Sequence, residues 1–401
     1  MQSASPPAAS GAHQRGAALW RGTLSAFCAS LIGIGLARFA YTPLLPAIIA
    51  AHWFAAAAAA YLGAANLAGY LAGALSGRAI AGRLGTPATL RVMMLAATAA
   101  FFACGFPLSF LWFFLWRFAA GLAGGALMVL AAPSVLAHVP PARRGVVGGV
   151  IFMGVGAGVV ASGTLVPLLL RHGLRATWFG LGGLSLLLAV LAWGGWPQEG
   201  PAPTSHAAAP PLRLLRALYV EYGLNAAGWV PHMIFLVDFV ARGLHQGVAA
   251  GAGYWVLFGI GATCGPVLAG HIADRIGFGT TLRLAFVIEA VAVALPALGL
   301  GTLWLLVSSV VVGAFVTGTV PLVLGRIGEL LPHHPARQKA AWSRATIAFA
   351  LFQAGAAYGL SYVFARTGGA YRLLFGLGAG AMVLALAIDL IAAAGRRTNE
   401  F

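Results

Sequence analysis

Residues 270–277 read Gly-His-Ile-Ala-Asp-Arg-Ile-Gly, and a related stretch, Gly-Arg-Ala-Ile-Ala-Gly-Arg-Leu-Gly, occupies residues 77–85. Each stretch is a short polar interruption between two long apolar runs. Aligning Gly277 with Gly85 also lays the first apolar run over the seventh and the fifth over the eleventh. Self-similarity of this kind indicates a duplicated unit. The sequence therefore predicts six helices taken twice.

The composition indicates that the solvent of this chain is lipid. It is 60% hydrophobic and 8% charged with a mean hydropathy of +0.90, whereas soluble domains carry about 25% charged residues. Apolar blocks of about 20 residues, the length that spans a bilayer, recur almost without pause. The first block runs from Gly22 to about Leu45, which is too long for a signal peptide. Residues 1–20 are small, polar and Pro-bearing, so we expect a disordered cytoplasmic tail there.

Apolar runs bounded by Pro, Gly or charge predict twelve membrane-spanning helices, with ends uncertain by about 2–4 residues. They are placed near residues 22–45, 57–80, 88–106, 109–133, 145–170, 176–196, 214–240, 250–271, 282–299, 302–325, 340–364 and 371–393.

The loops predict an orientation, because cytoplasmic loops of membrane proteins carry the excess of Lys and Arg. Of the 24 Lys and Arg residues, most fall on the face that also receives both termini. The opposite face receives Arg171, Arg175, Arg242, Arg366 and Arg372. We therefore expect cytoplasmic N- and C-termini. A Pro-rich cytoplasmic linker at 197–213 divides an N-terminal six-helix bundle, 21–196, from a C-terminal one, 214–395, and 396–401 form a cytoplasmic tail.

The stretch at 270–277 resembles the G-x-x-x-D-R-x-G signature that major facilitator superfamily transporters carry between helices 2 and 3 and again between helices 8 and 9. In a tight turn of this kind an Asp can cap a helix N-terminus while an Arg binds helix C-terminal carbonyls or a carboxylate. The resemblance implies a gating role for Asp274, Arg275 and Arg83. Gly82 replaces the Asp in the first copy. Positive-inside loop charges without a gating role are the alternative.

Two further segments resemble the same superfamily. Residues 117–125, Arg-Phe-Ala-Ala-Gly-Leu-Ala-Gly-Gly, resemble its R-x-x-x-G signature on helix 4. Residues 34–46, Ile-Gly-Leu-Ala-Arg-Phe-Ala-Tyr-Thr-Pro-Leu-Leu-Pro, resemble the first helix of its YbfB/YjiJ-type branch. The resemblance implies a central cavity lined by helices 1, 4, 7 and 10. Arg38, Tyr41 and Arg117 would then reach the same solute.

Ionisable side chains within the membrane are the informative residues, because each costs at least about 2.5–3.5 kcal/mol near the bilayer centre. Helix 7 carries Glu221, Asn225, Trp229 and His232 at spacings that share one face. Pro231 should kink the helix beside them. We expect Arg38 and Arg117 to bind an anionic group, Asn225 and Trp229 to contact the solute, and Glu221 or His232 to carry a coupling proton.

Structural alternatives exist for several of these residues. Glu221 could pair with Arg216, His232 could be a satisfied core histidine, and Arg38 could extend to the membrane surface. Gln353 is assigned to the solute site. Asn66 and Tyr358 could also line the cavity, or all three could bridge helices.

Three acidic residues stand outside this hypothesis. Asp238 is expected to pair with Arg242. Glu289 and Asp389 lie on helices that are peripheral in the superfamily, and the sequence offers no role for them.

Other classes of function lack their motifs. Gly154-Val-Gly-Ala-Gly158 has no preceding strand and no acidic residue about 20 positions later, so it does not indicate a nucleotide site. The sequence contains no Walker A, HExxH or G-x-S-x-G segment, which argues against ATP-driven pumping and the common intramembrane hydrolyses. Cys28, Cys104 and Cys264 have no metal-ligand spacing. The net charge of +16 reflects loop arginines rather than a nucleic-acid stripe.

The sequence thus predicts an all-α membrane protein of the major facilitator fold with twelve helices in two six-helix bundles. We expect no enzyme activity and no cofactor or metal. The expected function is proton-coupled alternating access that moves a small organic solute, with a slight preference for an anion, across a bacterial inner membrane. A proton-driven exporter of amphiphilic drugs or metabolites, and a non-transporting receptor or scaffold, are the alternatives. We expect a monomer in the lipid bilayer that binds solute and protons but no nucleic acid.

Overall fold

The computed structural model describes residues 8–198 and 212–397, and every regular element in these ranges is a helix. We number the long helices α1 to α12. They run over Ala8–Ala50 with two breaks (α1), Ala56–Leu84 (α2), Thr86–Cys104 (α3), Phe110–Leu136 (α4), Arg144–Leu170 (α5), Leu174–Ala192 (α6), Leu212–Gly243 with one break (α7), Gly247–Ile276 (α8), Phe278–Leu298 (α9), Thr302–Leu330 (α10), Pro335–Arg366 (α11) and Tyr371–Arg397 (α12).

The predicted all-α membrane fold is confirmed. Eleven of the described helices are long and apolar enough to cross a membrane, by length and composition. Helix α2 is not among the eleven, because its sequence is dominated by Ala and Gly and carries Asn66, Arg78 and Arg83. It is nevertheless 29 residues long and packs along α4, so the count of about twelve spanning helices holds.

One helix boundary differs from the sequence prediction, and two predicted segments lie mostly outside the described residues. Helix α1 begins at Ala8, inside the segment predicted as a disordered tail, since the alanines at 8, 9, 12, 17 and 18 favour helix. Most of the predicted linker at 197–213 and of the tail at 396–401 lies outside the described residues. The division into bundles at these positions stays a prediction.

The duplication predicted from the loops is visible in the packing. On α4 a Cβ at Gly121 would overlap the Asn66 carbonyl oxygen of α2, and on α10 a Cβ at Gly313 would overlap the Phe258 carbonyl oxygen of α8. These two contacts occupy matching positions under the alignment of Gly277 with Gly85. Small residues let each pair of backbones approach closely. The α2–α4 and α8–α10 pairs are therefore two copies of one helix contact.

Helices α1 and α7 are the two interrupted helices. In α1 a π-helical turn spans Leu31–Leu36, and a Cβ on Gly35 within it would lie 2.8 Å from Gly158 Cα of α5. Helix α7 breaks at Trp229, where φ is −94° and ψ is 0°, and restarts at Val230 with Pro231 in its first turn. π turns and proline breaks of this kind mark functional segments in many helices.

We call the end of the bundle that carries Gly85, Arg143 and Asp274 the basic face. Helices α5 and α8 pack against each other along their length, from Gly145 beside Gly270 to Gly163 beside Val256. The other described polar contacts between the halves lie on the basic side or around Arg38. Trp342 Nε1 of α11 donates to the Met128 carbonyl of α4 at 2.9 Å.

Away from the basic face, the outer parts of α2 and α11 carry exposed side chains. Tyr61 on α2 and Tyr358 on α11 are 65% and 67% exposed. A Cβ at Gly355 or Gly359 of α11 would meet no atom within 4 Å. From the contacts between the halves at the basic face and the exposure away from it, we infer a cleft that is closed at the basic face and open at the opposite face.

Candidate functional site

Arg38 lies where the two halves meet beneath this cleft. The π turn of α1 ends at Leu36, just before it, and the side chain crosses from α1 to the second half. Its Nη2 donates to Oε1 of Gln353 on α11 and lies 3.9 Å from Sδ of Met233 on α7. Arg38 is partly exposed, and Thr42, one turn farther out on α1, is exposed. A cation at the floor of an open cleft can meet a solute directly.

The surroundings of Arg38 are aromatic rather than acidic. Its guanidinium lies 5.9 Å from the ring centroid of Tyr70 on α2 and 5.5 Å from that of Phe39. Among the described residues the ion pairs are Arg242–Asp238, Arg283–Asp389 and Arg326–Glu329. Arg38 belongs to none of them. Among the described residues its charge is therefore stabilised by a hydrogen bond and by π faces, with no acidic partner.

Arg117 and Tyr41 lie inside the first half rather than at the cleft. Arg117 is 3% exposed, its Nη1 donates to the Ala37 carbonyl at 2.8 Å, and its guanidinium lies 4.3 Å from the Tyr41 ring centroid. Arg117 also borders a small gap with Cys104 of α3 and Trp178 of α6. The expected convergence of Arg38 and Arg117 on one solute is not seen in this conformation. Arg117 instead braces α1 just after its π turn.

The predicted face of α7 points into the second half. Asn225 is 1% exposed and its Nδ2 donates to Oε2 of Glu289 on α9 at 2.6 Å. His232 is fully buried, with Nε2 2.7 Å from Oγ of Ser308 on α10. Glu221 is 1% exposed, and the ion pairs found among the described residues do not include one between Glu221 and Arg216.

Trp229 marks the boundary between this polar interior and the cleft floor. Its ring packs on Phe349 of α11 with centroids 6.0 Å apart, and it is 2% exposed. Phe349 in turn packs on Tyr222, 4.9 Å away, and Tyr222 stacks on Trp342 at 6.2 Å. An aromatic column thus connects the break in α7 to the closed basic side.

The remaining polar candidates divide between the halves. Gln353 is 2% exposed, accepts the hydrogen bond from Arg38, and leaves its Nε2 without a partner. Asn66 binds the Arg117 carbonyl at 3.2 Å, so it bridges α2 and α4. Gln353 therefore belongs to the cleft floor, while Asn66 forms a hydrogen bond between two helices of the first half.

The predicted gate has one strong contact. The Asp274 carboxylate at the end of α8 accepts hydrogen bonds from Gly145 N at 2.7 Å and Val146 N at 2.9 Å, at the start of α5. A carboxylate stabilises a helix N-terminus through these otherwise unpaired N–H groups. Arg275 and Arg83 are exposed. Of the three predicted gating residues, Asp274 is the one that joins the two halves in this conformation.

Sequence reasoning missed several residues of the site. Tyr70, Met233, Tyr222 and Phe349 surround the cleft floor, yet each reads as an ordinary apolar helix residue. The one available signal was depth in the membrane. The predicted helix bounds place these residues, to within a turn, at the same depth as Arg38 and Trp229. Asp389 pairs with Arg283, and Asp238 pairs with Arg242 as predicted and also accepts from Tyr371.

Known proteins share this sequence pattern and fold. Residues 30–390 match the family described as "Uncharacterised MFS-type transporter YbfB". The chain belongs to this family of major facilitator transporters. The family and the membrane fold together identify a multi-pass membrane transporter rather than an enzyme. No curated protein sequence matches the chain significantly.

Solved structures show the same major facilitator fold at low sequence identity. The human organic anion transporter MFSD10 (TETRAN) is 17% identical with a TM-score of 0.75, covering 96% of this chain and 100% of that one. The transporter FucP in its outward conformation is 12% identical with a TM-score of 0.72, covering 92% and 98%. The proton:xylose symporter XylE is 14% identical with a TM-score of 0.72, covering 93% and 95%.

Proposed function

We propose that this YbfB-type transporter is a secondary active transporter that moves a small organic anion by proton-coupled alternating access. The observation that carries the anion assignment is Arg38, a cation at the floor of the cleft that has no carboxylate partner among the described residues. A buried or half-buried charge needs a counter-charge to offset its lost hydration. A solute carboxylate supplies one.

The rings around Arg38 favour a solute with an apolar body. Tyr70, Phe39 and Met233 contact or flank the guanidinium, and Gln353 offers an unpaired Nε2 as a second donor. An aromatic monocarboxylate such as benzoate matches this combination of one cation, one amide donor and π faces. The structurally similar human protein MFSD10, an organic anion transporter, agrees with this class.

Proton coupling is proposed for the buried polar groups of the second half. His232 accepts no hydrogen bond at Nδ1. Ser308 already donates to the Ala292 carbonyl at 2.6 Å, so it must accept from His232 Nε2. This arrangement corresponds to a neutral imidazole with one free proton acceptor. Glu221 is a second candidate, and a solved relative is named a fucose:proton symporter.

The proposal also covers the orientation of the protein in the membrane and the roles of the other site residues. The basic face is assigned to the cytoplasm of a bacterial inner membrane, because loop arginines favour that side. The cleft then opens away from the cytoplasm. Arg38 and Gln353 are proposed as direct solute contacts. Trp229, Asn225, Arg117 and Tyr41 would act in this conformation through the shape of the α1 and α7 breaks. The transporter is proposed to work as a monomer.

Uptake into proteoliposomes under an imposed pH gradient tests this function. The probes are benzoate, a neutral sugar and an amphiphilic cation, applied to wild type, Arg38→Ala and the control Arg171→Ala, which removes an exposed arginine at the opposite face. With wild type and Arg171→Ala, benzoate should accumulate faster than in protein-free liposomes, which its neutral acid enters unaided. The benzoate uptake rate of Arg38→Ala should be at least about tenfold lower than that of wild type, since a charge-assisted hydrogen bond contributes about 1.5–3 kcal/mol.

Two results contradict the proposal. Equal benzoate accumulation by wild type and Arg38→Ala removes Arg38 from the site. Accumulation of the sugar or the cation without benzoate rejects an anion as the solute and, for the cation, favours drug export.

A further inference from the structure

The second half contains a buried carboxyl whose contacts the transport site does not use. Glu289 on α9 is fully buried, and its Oε2 accepts the hydrogen bond from Asn225 Nδ2 of α7. Its Oε1 has no partner, and neither has Oδ1 of Asn225. Two acceptor oxygens of one bonded pair are therefore left unsatisfied within the membrane, where each such group is costly.

A single proton resolves both unsatisfied atoms. If Oε1 of Glu289 carries a proton, it becomes a donor for Asn225 Oδ1, while Asn225 Nδ2 still donates to Oε2. The acid and the amide then form a cyclic pair with two hydrogen bonds. An ionised Glu289 would keep only the bond from Asn225 Nδ2 to Oε2. Its Oε1 and the Asn225 Oδ1 would then be two acceptors with no hydrogen between them.

Among the described residues, no positively charged group forms a hydrogen bond or ion pair with Glu289. On α7 it faces Asn225, with Glu221 one turn before and His232 two turns after. On α10, Ser308 donates to the Ala292 carbonyl, one turn along α9 from Glu289. On α12 it faces Met382, whose Sδ is 3.4 Å from Asn225 Nδ2.

On the side of Glu289 toward the basic face, charged residues of α9, α10 and α12 are engaged with each other. Arg283 of α9 pairs with Asp389 of α12, and Arg326 pairs with Glu329 on α10. None of these four forms an ion pair or hydrogen bond with Glu289 among the described residues.

We propose that Glu289, rather than His232 or Glu221, is the proton-binding group that couples to the solute, with Asn225 as the residue that holds its protonated form. The proposal rests on the proposed function and assigns its coupling proton to a residue on α9. Helix α7 connects the two sites: Asn225 lies before its break at Trp229, and Met233, after the break, contacts Arg38. A shift of α7 on solute binding therefore changes the surroundings of Glu289.

The sign of the coupling follows from charge. A proton on Glu289 removes a negative charge from the half that helps bind the anion, so the protonated protein binds the anion more tightly. Reciprocity then makes anion binding favour protonation. Anion and proton consequently travel in the same direction.

Benzoate binding to the purified full chain, measured from mildly acidic to mildly alkaline pH, tests the coupling. In wild type the Kd should rise by up to about tenfold per pH unit once Glu289 loses its proton. Glu289→Gln preserves both hydrogen bonds to Asn225 and mimics the protonated acid. It should bind with the acidic-pH Kd of wild type at every pH, exchange benzoate across proteoliposomes, and fail to accumulate it under a pH gradient.

Asp238→Asn is the matched control, because it makes the same carboxyl-to-amide change at the outer end of α7. It should keep the wild-type pH dependence. Should Glu289→Gln fold poorly, Glu289→Met fills a similar volume and carries the same expectation of a pH-independent Kd. A pH dependence in Glu289→Gln equal to that of wild type overturns the proposal, as does benzoate accumulation by that variant above the level in protein-free liposomes.

Infrared spectroscopy separates this proposal from the proposed function. The carboxylic-acid C=O band of wild type should lose intensity in Glu289→Gln and keep it in Asp238→Asn, with no solute present. An unchanged band in Glu289→Gln means that Glu289 is ionised and overturns the inference. Failure of every variant to bind benzoate rejects the anion site while the infrared result still decides the state of Glu289.

Discussion

Removing the Asp274 carboxylate should open the basic face. Asp274 accepts two hydrogen bonds, at 2.7 and 2.9 Å, from the first N–H groups of α5, and it belongs to the other half of the molecule. Hydrogen bonds to a charged group contribute about 1.5–3 kcal/mol each. The side chain is partly exposed, so we discount the pair to a total of about 2 kcal/mol. Asp274→Ala should then shift the closed-to-open ratio by about thirtyfold, at about 1.4 kcal/mol per factor of ten.

Thiol labelling from the basic face measures this shift. Ser343 is 6% exposed and its Oγ contacts the Ala74 carbonyl across the two halves, so Ser343→Cys reports opening. The three native cysteines are replaced first. Asp274→Ala should raise the labelling rate of this cysteine by about the factor above.

Glu329→Ala is the control for that experiment. Glu329 accepts from Phe278 N at 2.7 Å and Gly279 N at 3.3 Å, so it caps α9 within its own half. Loss of this cap should lower thermal stability without changing the labelling rate. Equal labelling of the Asp274 variant and the parent protein would show that the closed state does not depend on this contact.

Two further predictions concern the interior of the first half. Arg117→Ala should lower thermal stability in detergent by about 2–4 kcal/mol, because it removes a buried contact to Ala37 and leaves a cavity, whereas Arg38→Ala should reduce benzoate affinity with little change in melting temperature. If the two variants behave alike, the assignment of Arg117 to bracing rather than binding is wrong. Gly121→Ala should lower the free energy of unfolding by about 1–3 kcal/mol, because the added Cβ would overlap the Asn66 carbonyl. Gly82→Ala should leave it unchanged or raise it, because a Cβ there would meet no atom within 4 Å. Equal melting temperatures of these two variants would contradict the proposed α2–α4 packing.

The helices and the duplication could be predicted because they depend on properties that are local in sequence. Apolar length defines each span, and the matching polar turns at Gly85 and Gly277 define the repeat. Asp274 was predictable for the same reason, since a helix-capping carboxylate in a short turn is a local pattern.

The direction of each side chain within the bundle was not predictable. A helix that is apolar on all sides carries no hydropathy signal for the face that meets the cleft. Arg117 therefore looked like a solute contact, although it points toward Ala37 and Tyr41. The bond between Arg38 and Gln353 joins residues 315 positions apart, and the Asn225–Glu289 pair joins two different helices. Such partners follow from tertiary packing alone.

The central claim is that Arg38 recognises the negative charge of the solute. Calorimetric binding of benzoate and of benzamide, which has the same shape without the charge, tests it directly in wild type and Arg38→Gln. Wild type should prefer benzoate by about tenfold to a hundredfold, as expected for one charge-assisted contact of about 1.5–3 kcal/mol, and Arg38→Gln should lose that preference. A preference for benzoate that survives in Arg38→Gln, or its absence in wild type, would contradict the account.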